Sequence, residues 1–335
     1  MGDLLPIAVS MGEPAGIGPD LILKLYAERE RHRLPPFIVC GSMAFLAARA
    51  RRLGLDIVFA SATAHDAASH FPTALPVMHI EGLVPDKPGV ASPLSGKVVI
   101  EAIAHAVGDA LKGDCRAVVT APIHKAALYT AGFKHPGHTE YLAALCANNG
   151  PPLHPVMMLV HGDLRVVPLT IHVPLKDVPA LIRPQLIRDT VHTVEHDLRT
   201  RFGIAHPFIG ITGLNPHAGE SGAIGSEEAD IINPAILDLR HNGSHIEGPF
   251  SADTIFHQAN WKKYDVVIAM YHDQALIPIK TLAFDEAVNL TLGLPIVRTS
   301  PDHGTAFDLA GTGNASTASM LASFRLADRL TGGVP

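Results

Sequence analysis

The chain has 335 residues, 47% of them hydrophobic and 17% charged, with a formal net charge of −6 when histidine is neutral. That length suits two domains or one large α/β domain, and the composition provides a core while excluding extensive disorder. The acidic balance argues against a nucleic-acid binder, yet is compatible with a local basic pocket for a small anion. Cys40, Cys115 and Cys146 are far apart and form no CxxC pair, so neither a disulfide framework nor a cysteine zinc site is expected. The opening residues, MGDLLPIAVSMGEPAG, lack a basic n-region and a long apolar core. No stretch reaches the ~18 apolar residues of a membrane span. No membrane partner is therefore expected, and a reducing cytoplasm is the expected location. Twenty histidines leave a large pool for metal or proton chemistry.

Taken in order, short β-rich runs alternate with helical patterns. PIAVSM, residues 6 to 11, reads as a strand, followed by a Gly/Pro turn and a helix from about Pro19. FIVCG, from Phe37, reads as a strand, and a helix runs through Ala44 to Leu53. LVPDKPGVASPLSG, 83 to 96, is the most loop-like segment, either a boundary or an excursion within one domain. From Gly96 to Leu111 apolar residues fall at helical spacing. AVVTAP, PVMMLV, LRVVPLTIH, PFIGITG and YDVVIAMYH read as further strands. Helices are expected near 184 to 199 and 226 to 240, the second with Ser226 as N-cap and Glu227 and Glu228 in its first turn. Strands alternating with helices predict a largely parallel sheet covered on both faces.

Three histidines stand just past strands: His172 in PLTIHVP, His217 in GITGLNPH and His272 in VIAMYHDQ. Ligands of open α/β sheets bind beyond the carboxyl ends of strands. Three neutral imidazoles meeting there suit a divalent ion such as zinc. Asp273 adjoins one of them as a second-sphere partner or acid/base. A histidine after a strand also serves as a cap or a surface residue, and no local pattern such as HExxH decides between the readings. Lys280, Asn289 and Arg298 lie in mostly apolar surroundings and suit a phosphate or carboxylate. In HPGHTEYLAAL, His138 and Thr139 open an expected helix, where Thr139 either caps the helix or contacts an anion. Lys125, after AVVTAP, is either a ligand-edge lysine or a surface one. MGEPAGIGPD carries Gly12, Gly16 and Gly18, which matches neither GxGxxG nor GxxxxGK[ST]. These glycines serve either a ligand or a tight turn. A second glycine-studded loop, 300 to 316, holds Asp302, His303, Gly304 and Asn314.

GEPAGIGPD, TAPIHK, GHTE, GLNPHAGE, GPFSADT, AMYHDQ, VNLTLGLP and RTSPDHGTAFDLAG occur in the order that characterises the 4-hydroxythreonine-4-phosphate dehydrogenase family of pyridoxal phosphate biosynthesis, which the chain resembles from about residue 6 to residue 327. The resemblance implies an α/β, isocitrate/isopropylmalate dehydrogenase-like fold of two α/β/α domains with the active site in the cleft between them. Expected domains are 1–130 plus 290–335 on the cofactor side, and 131–289 for metal, substrate and dimerisation. It further implies a homodimer whose sites take metal ligands from both subunits, and NAD or NADP as cofactor. His172, His217 and His272 would bind one divalent metal (zinc, magnesium or cobalt). His138, Thr139, Lys280, Asn289 and Arg298 would contact substrate, and Gly12, Gly16, Gly18, His303, Gly304 and Asn314 would lie beside the cofactor. Candidates for the proton acceptor are Asp273, Asp253 and Lys125. The family's glycine after YHDQ is Ala275 here.

The activity so implied is oxidation of 4-phosphohydroxy-L-threonine at C3, with decarboxylation to 3-amino-2-oxopropyl phosphate. Two alternatives remain at this point. One is a family relative acting on a four-carbon sugar-acid phosphate or a cyclic dihydrodiol. The other is a non-redox phosphate acyltransferase on a related fold.

Overall fold

The structure, a computed structural model, describes residues 5–148 and 150–332. Its internal contacts divide the chain into two compact units, Met1–Pro155 with Leu294–Pro335, and Val156–Gly293. The stretch 131–155 therefore lies with the first unit, and so does the loop 83–92, which is an excursion rather than a boundary. Asp86 in that loop accepts hydrogen bonds from Arg49 Nε at 2.7 Å and Arg52 Nε at 2.8 Å.

In the first unit β1 (Ile7–Ser10), β2 (Phe37–Gly41), β3 (Phe59–Ser61), β4 (Leu75–His79), β5 (Ala117–Thr120) and β12 (Arg298–Pro301) are parallel in the order β3-β4-β2-β1-β5-β12. Ile7, Ala8 and Val9 in β1 are wholly buried, as a parallel strand covered on both faces requires. Helices Gly18–Ala27, Met43–Arg52 and Ala318–Leu330 pack together, and helix Pro93–Lys112 packs with Lys125–Thr130 and His138–Ala147. The long helix starts three residues before the apolar periodicity does. Ser92 Oγ accepts from Leu94 N–H at 3.3 Å, Pro93 sits at the first position, and Gly113 ends the helix with φ +80°. These are the residue types that start and stop helices. Val98, Val99, Ala102, Ile103, Ala106 and Val107 form its buried stripe, while Leu111 is exposed.

The second unit contains β6 (Val156–His161), β7 (Leu164–Thr170), β8 (Phe208–Thr212), β9 (His245–Phe250), β10 (Val266–Tyr271) and β11 (Val288–Leu292), in the order β11-β6-β7-β10-β8-β9. The β11-β6 and β6-β7 pairs are antiparallel and the rest are parallel. Leu159, Val166, Val267, Ala269 and Ile279 form its core with Ala275. Ala275 lies inside helix His272–Ala283 and is wholly buried. A helical backbone there needs no glycine, so the alanine methyl adds packing without strain.

The helix expected over 226 to 240 begins differently. Glu228–Ile232 form a π-helical turn that runs into an α-helix, Asn233–His241, and no side-chain cap bond starts it. Pro234 has no N–H to continue the i→i−4 ladder, which accounts for the wide turn just before it.

Candidate functional site

In the second unit, register decides which side chains meet. Thr170 of β7 pairs with Tyr271 of the parallel neighbour β10, and Thr170 Oγ1 donates to Met270 O at 2.9 Å. The residues just beyond, His172 and His272, are thereby delivered side by side, with ring centroids 5.9 Å apart at 45°. They line a cavity of about 390 Å³ with Ile171, Val173, Leu175, Val178, Tyr271 and Asp273. His272 Nδ1 lies 2.7 Å from Asp273 Oδ1. With Asp273 ionised, Nδ1 carries the proton and Nε2 is left as the lone-pair donor, the tautomer a metal needs.

His217 is placed otherwise. It follows β8 in a loop where His217, Ala218, Gly219, Glu220 and Ser221 all have φ between 44° and 82°. Its side chain is 69% exposed, and Nδ1 lies 4.0 Å from Glu220 Oε2. Among the described residues of this chain, no three His, Cys, Asp or Glu side chains form a group that could hold a metal. The convergence expected of three histidines is thus met, within one chain, by two. The imidazole pair, its acid partner and the cavity fit a divalent ion as far as two ligands go.

Two residues that sequence reasoning passed over organise this edge. Gln274 Oε1 accepts from Thr212 Oγ1 and Met270 N–H, both at 2.7 Å, and its Nε2 donates to Gly213 O at 2.9 Å. It ties the end of β10 to the end of β8. Glu228 is 3% exposed, and its carboxylate accepts from the N–H groups of Leu214 and Asn215 at 2.8 Å each. Both acids at 227 and 228 were expected to complement the helix dipole; Glu228 instead turns inward onto the histidine loop. A polar residue beside a histidine motif was the available signal for Gln274. Nothing local signals Glu228.

Lys280 lies in helix His272–Ala283 with Nζ 5.9 Å from the centroid of the Phe284 ring. Asn289 is half-buried in β11, opposite Leu159. Asp253 is exposed in the short helix Ala252–Ile255.

In the first unit a second constellation surrounds the end of β5. Arg298 is 3% exposed, and its Nε and Nη2 donate to Thr120 Oγ1 at 3.1 and 2.6 Å. Burial pulls its pKa down from the usual value to about 9, which still leaves the guanidinium charged at neutral pH. His138 opens helix His138–Ala147. Burial, and secondarily the charge of Arg298, hold its pKa well below the usual value. Its Nε2 is buried without a hydrogen-bond partner. A neutral imidazole thus lies beside a buried cation, with one ring nitrogen unsatisfied among the described residues. Gly137, not Thr139, is the N-cap, and no side chain caps the helix, so Thr139 sits in the first turn. A Cβ built on Gly137 would lie 2.7 Å from Glu140 Oε2 and 3.4 Å from Lys125 Nζ. Lys125, the first residue of its helix, is thus drawn to this same neighbourhood.

The glycine loop after β1 packs closely. A Cβ on Gly12 (φ +72°) would lie 2.6 Å from Pro122 O, one on Gly18 2.8 Å from Ala121 Cβ, and one on Gly16 2.8 Å from Thr305 O. Ile17 N–H donates to Thr305 O at 2.9 Å. Lys24 Nζ donates to Gly313 O and Ala315 O at 2.9 and 2.8 Å, so the two glycine-rich loops are joined. Beside them Glu13, 2% exposed, has its pKa raised by burial, opposed by the Ala15 N–H and by His124. His303 Nδ1 lies 3.0 Å from Gly304 O, while its Nε2 and His124 Nδ1 are buried with no hydrogen-bond partner among the described residues. Gly304 faces open space and Asn314 is exposed.

Largely parallel α/β units with polar and imidazole groups gathered where strands end are the build of an α/β enzyme. The sequence profile of the family described as pyridoxal phosphate biosynthetic protein PdxA matches residues 33–327. A 4-hydroxythreonine-4-phosphate dehydrogenase from Bradyrhizobium diazoefficiens is 50% identical over 97% of this chain and 96% of its own. The chain belongs to the PdxA family. Among solved structures, the 4-hydroxythreonine-4-phosphate dehydrogenase of Klebsiella pneumoniae superposes with a TM-score of 0.87 at 36% identity, covering 98% of this chain and 99% of that one. A terephthalate 1,2-cis-dihydrodiol dehydrogenase from Burkholderia xenovorans gives 0.64 at 29% identity, covering 99% of both chains. Of the described residues, no helix is long and apolar enough to cross a membrane.

Proposed function

We propose that the protein oxidises 4-phosphohydroxy-L-threonine at C3, with NAD⁺ or NADP⁺ as the hydride acceptor, and that the resulting β-keto acid loses CO₂ to give 3-amino-2-oxopropyl phosphate. The observation that carries this reading is the 50% identity, over nearly the full length of both chains, with an enzyme named for that substrate.

The residues divide the work. Arg298, Lys280 and Asn289 hold the phosphate, Arg298 through a guanidinium already aligned by Thr120. His138, kept neutral, and Thr139 orient the substrate's polar groups. His172, His217 and His272 hold one divalent ion, for which imidazole nitrogens favour zinc or cobalt over magnesium. When bound, such an ion supplies Lewis acidity at the C3 hydroxyl. Two ligands grouped in one chain, with His217 outside that group, support completion of the set by a second copy in a homodimer. Exposed Val173 and Leu175, exposed Ile277 and Leu282 on the helix that begins with His272, and exposed Phe284 at its C-cap offer apolar surface for it. Asp273 holds His272 in its ligating tautomer; with Asp253 and Lys125 it remains a candidate acceptor for the hydroxyl proton. His303, Gly304 and Asn314 line the nicotinamide-nucleotide side, with Gly12, Gly16 and Gly18 setting the loop beneath.

A second reading, oxidation of a cyclic dihydrodiol, rests on the 29% identity to the Burkholderia xenovorans enzyme. Purified protein given NAD⁺ or NADP⁺ with 4-phosphohydroxy-L-threonine, a four-carbon sugar-acid phosphate or a cyclic dihydrodiol separates these, read by absorbance of the reduced nicotinamide. The reading predicts turnover of the phosphorylated amino acid, lost with a chelator and restored by a divalent ion. Turnover of the dihydrodiol alone would overturn it.

A further inference from the structure

The loop that carries His217 runs through a left-handed turn. Four non-glycine residues, His217, Ala218, Glu220 and Ser221, lie in the left-handed region with Gly219 among them. Each such residue is disfavoured relative to a right-handed one, so contacts from the surroundings help to fix the turn. What fixes it is Glu228. Oε1 accepts from Leu214 N–H and Asn215 N–H, and Oε2 accepts from Asn215 Nδ2 at 2.9 Å. The loop closes on the carboxylate from both sides. A Cβ on Gly213 would lie 2.8 Å from Glu228 Oε1, and one on Gly219 2.5 Å from Glu228 Oε2. Asn215 Nδ2 also donates to Glu227 Oε2 at 2.7 Å, and Gln274, in the first turn of helix His272–Ala283, grips Gly213 O. The π-turn at Glu228–Ile232 is the local device that directs this acid inward.

We propose that Glu228 is the positioning residue for His217. Its buried carboxylate, by accepting the N–H groups at the head of the loop, fixes the backbone that presents the imidazole for ligation. The proposal rests on the reading of His217 as a metal ligand. Without the carboxylate, two backbone N–H groups lose their acceptor and the left-handed turn loses its anchor, so His217 samples orientations that do not ligate.

The test compares Co²⁺ affinity of the full-length protein, by competition with a chromophoric chelator, for the parent, Glu228→Gln and His217→Ala. Glu228→Gln keeps shape, but it points an amide N–H₂ at the Asn215 N–H₂ or at the backbone donors. The expected result is Co²⁺ binding about 10–100-fold weaker in Glu228→Gln, the range for partners behind a ligand, with turnover recovered at saturating Co²⁺ and cooperative thermal unfolding retained. Asn215→Ala, which removes only the side-chain donor shared by Glu227 and Glu228, shifts affinity the same way and decides the matter if Glu228→Gln does not fold. Weaker binding in His217→Ala but parental affinity in folded Glu228→Gln overturns the positioning role alone. Parental affinity in His217→Ala overturns the ligand reading and this proposal with it.

Discussion

Replacing Arg298 by Met separates binding from stability. The guanidinium is buried against Thr120, with two N–H···O contacts. Met is of similar length and carries no charge. The Thr120 hydroxyl loses those donors, a cost of about 1 kcal/mol. The folded state no longer buries a cation, which is often neutral or favourable. The predicted net change in unfolding free energy is within about 1–2 kcal/mol in either direction. Function responds differently. Two charge-assisted bonds from a fork to phosphate, at about 1.5–3 kcal/mol each, total about 3–6 kcal/mol. At 1.36 kcal/mol per tenfold, kcat/KM for 4-phosphohydroxy-L-threonine falls about 10²- to 10⁴-fold. The assay measures kcat/KM for the phosphorylated substrate and for 4-hydroxythreonine, with a urea melt of each protein. An equal proportional loss on both substrates, or a loss below about threefold on the phosphorylated one, would refute the phosphate assignment.

Other expectations are more local. The depressed pKa of His138 means that, below the unfolded value near 6.5, the unfolded chain takes up a proton that the folded chain refuses. Stability therefore falls as pH drops through about 6.5, by up to about 1.4 kcal/mol per pH unit, and His138→Gln flattens the melting temperature between pH 5 and 7. An unchanged slope would remove His138 as the cause. Ala275→Gly, which restores the family's residue, loses a buried methyl and helix propensity and lowers stability by about 1–2 kcal/mol in a denaturant melt; a gain would mean that the backbone there is not helical. Gly12→Ala meets both a positive φ and Pro122 O, and is predicted to cost more than about 2 kcal/mol by the same measurement; a neutral result would show that the loop yields.

Long periodic elements were legible because burial dictated them. The stripe from Val98 to Val107 and the apolar run of β1 follow directly from covering a sheet. The helix His272–Ala283 was not legible, because Pro278 lies inside its pattern. β3, β4, β9, β11 and β12 were missed because they are short or interrupted by proline or polar residues, and only pairing with a neighbouring strand defines them. The placement of His172 and His272 past strand ends was readable, but their adjacency came from the β7-β10 register, which no local pattern encodes. Glu228 escaped because an acid near a helix start looks the same whether it faces solvent or a loop thirteen residues upstream.

The claim most exposed to test is that His217 and His272 complete one site from different subunits. Differently tagged His217→Ala and His272→Ala chains, co-expressed and purified through both tags, give mixed dimers in which one of the two sites regains all its ligands. The account predicts two inactive parents and a mixed dimer that again oxidises 4-phosphohydroxy-L-threonine with metal present. A mixed dimer as inactive as its parents would contradict it.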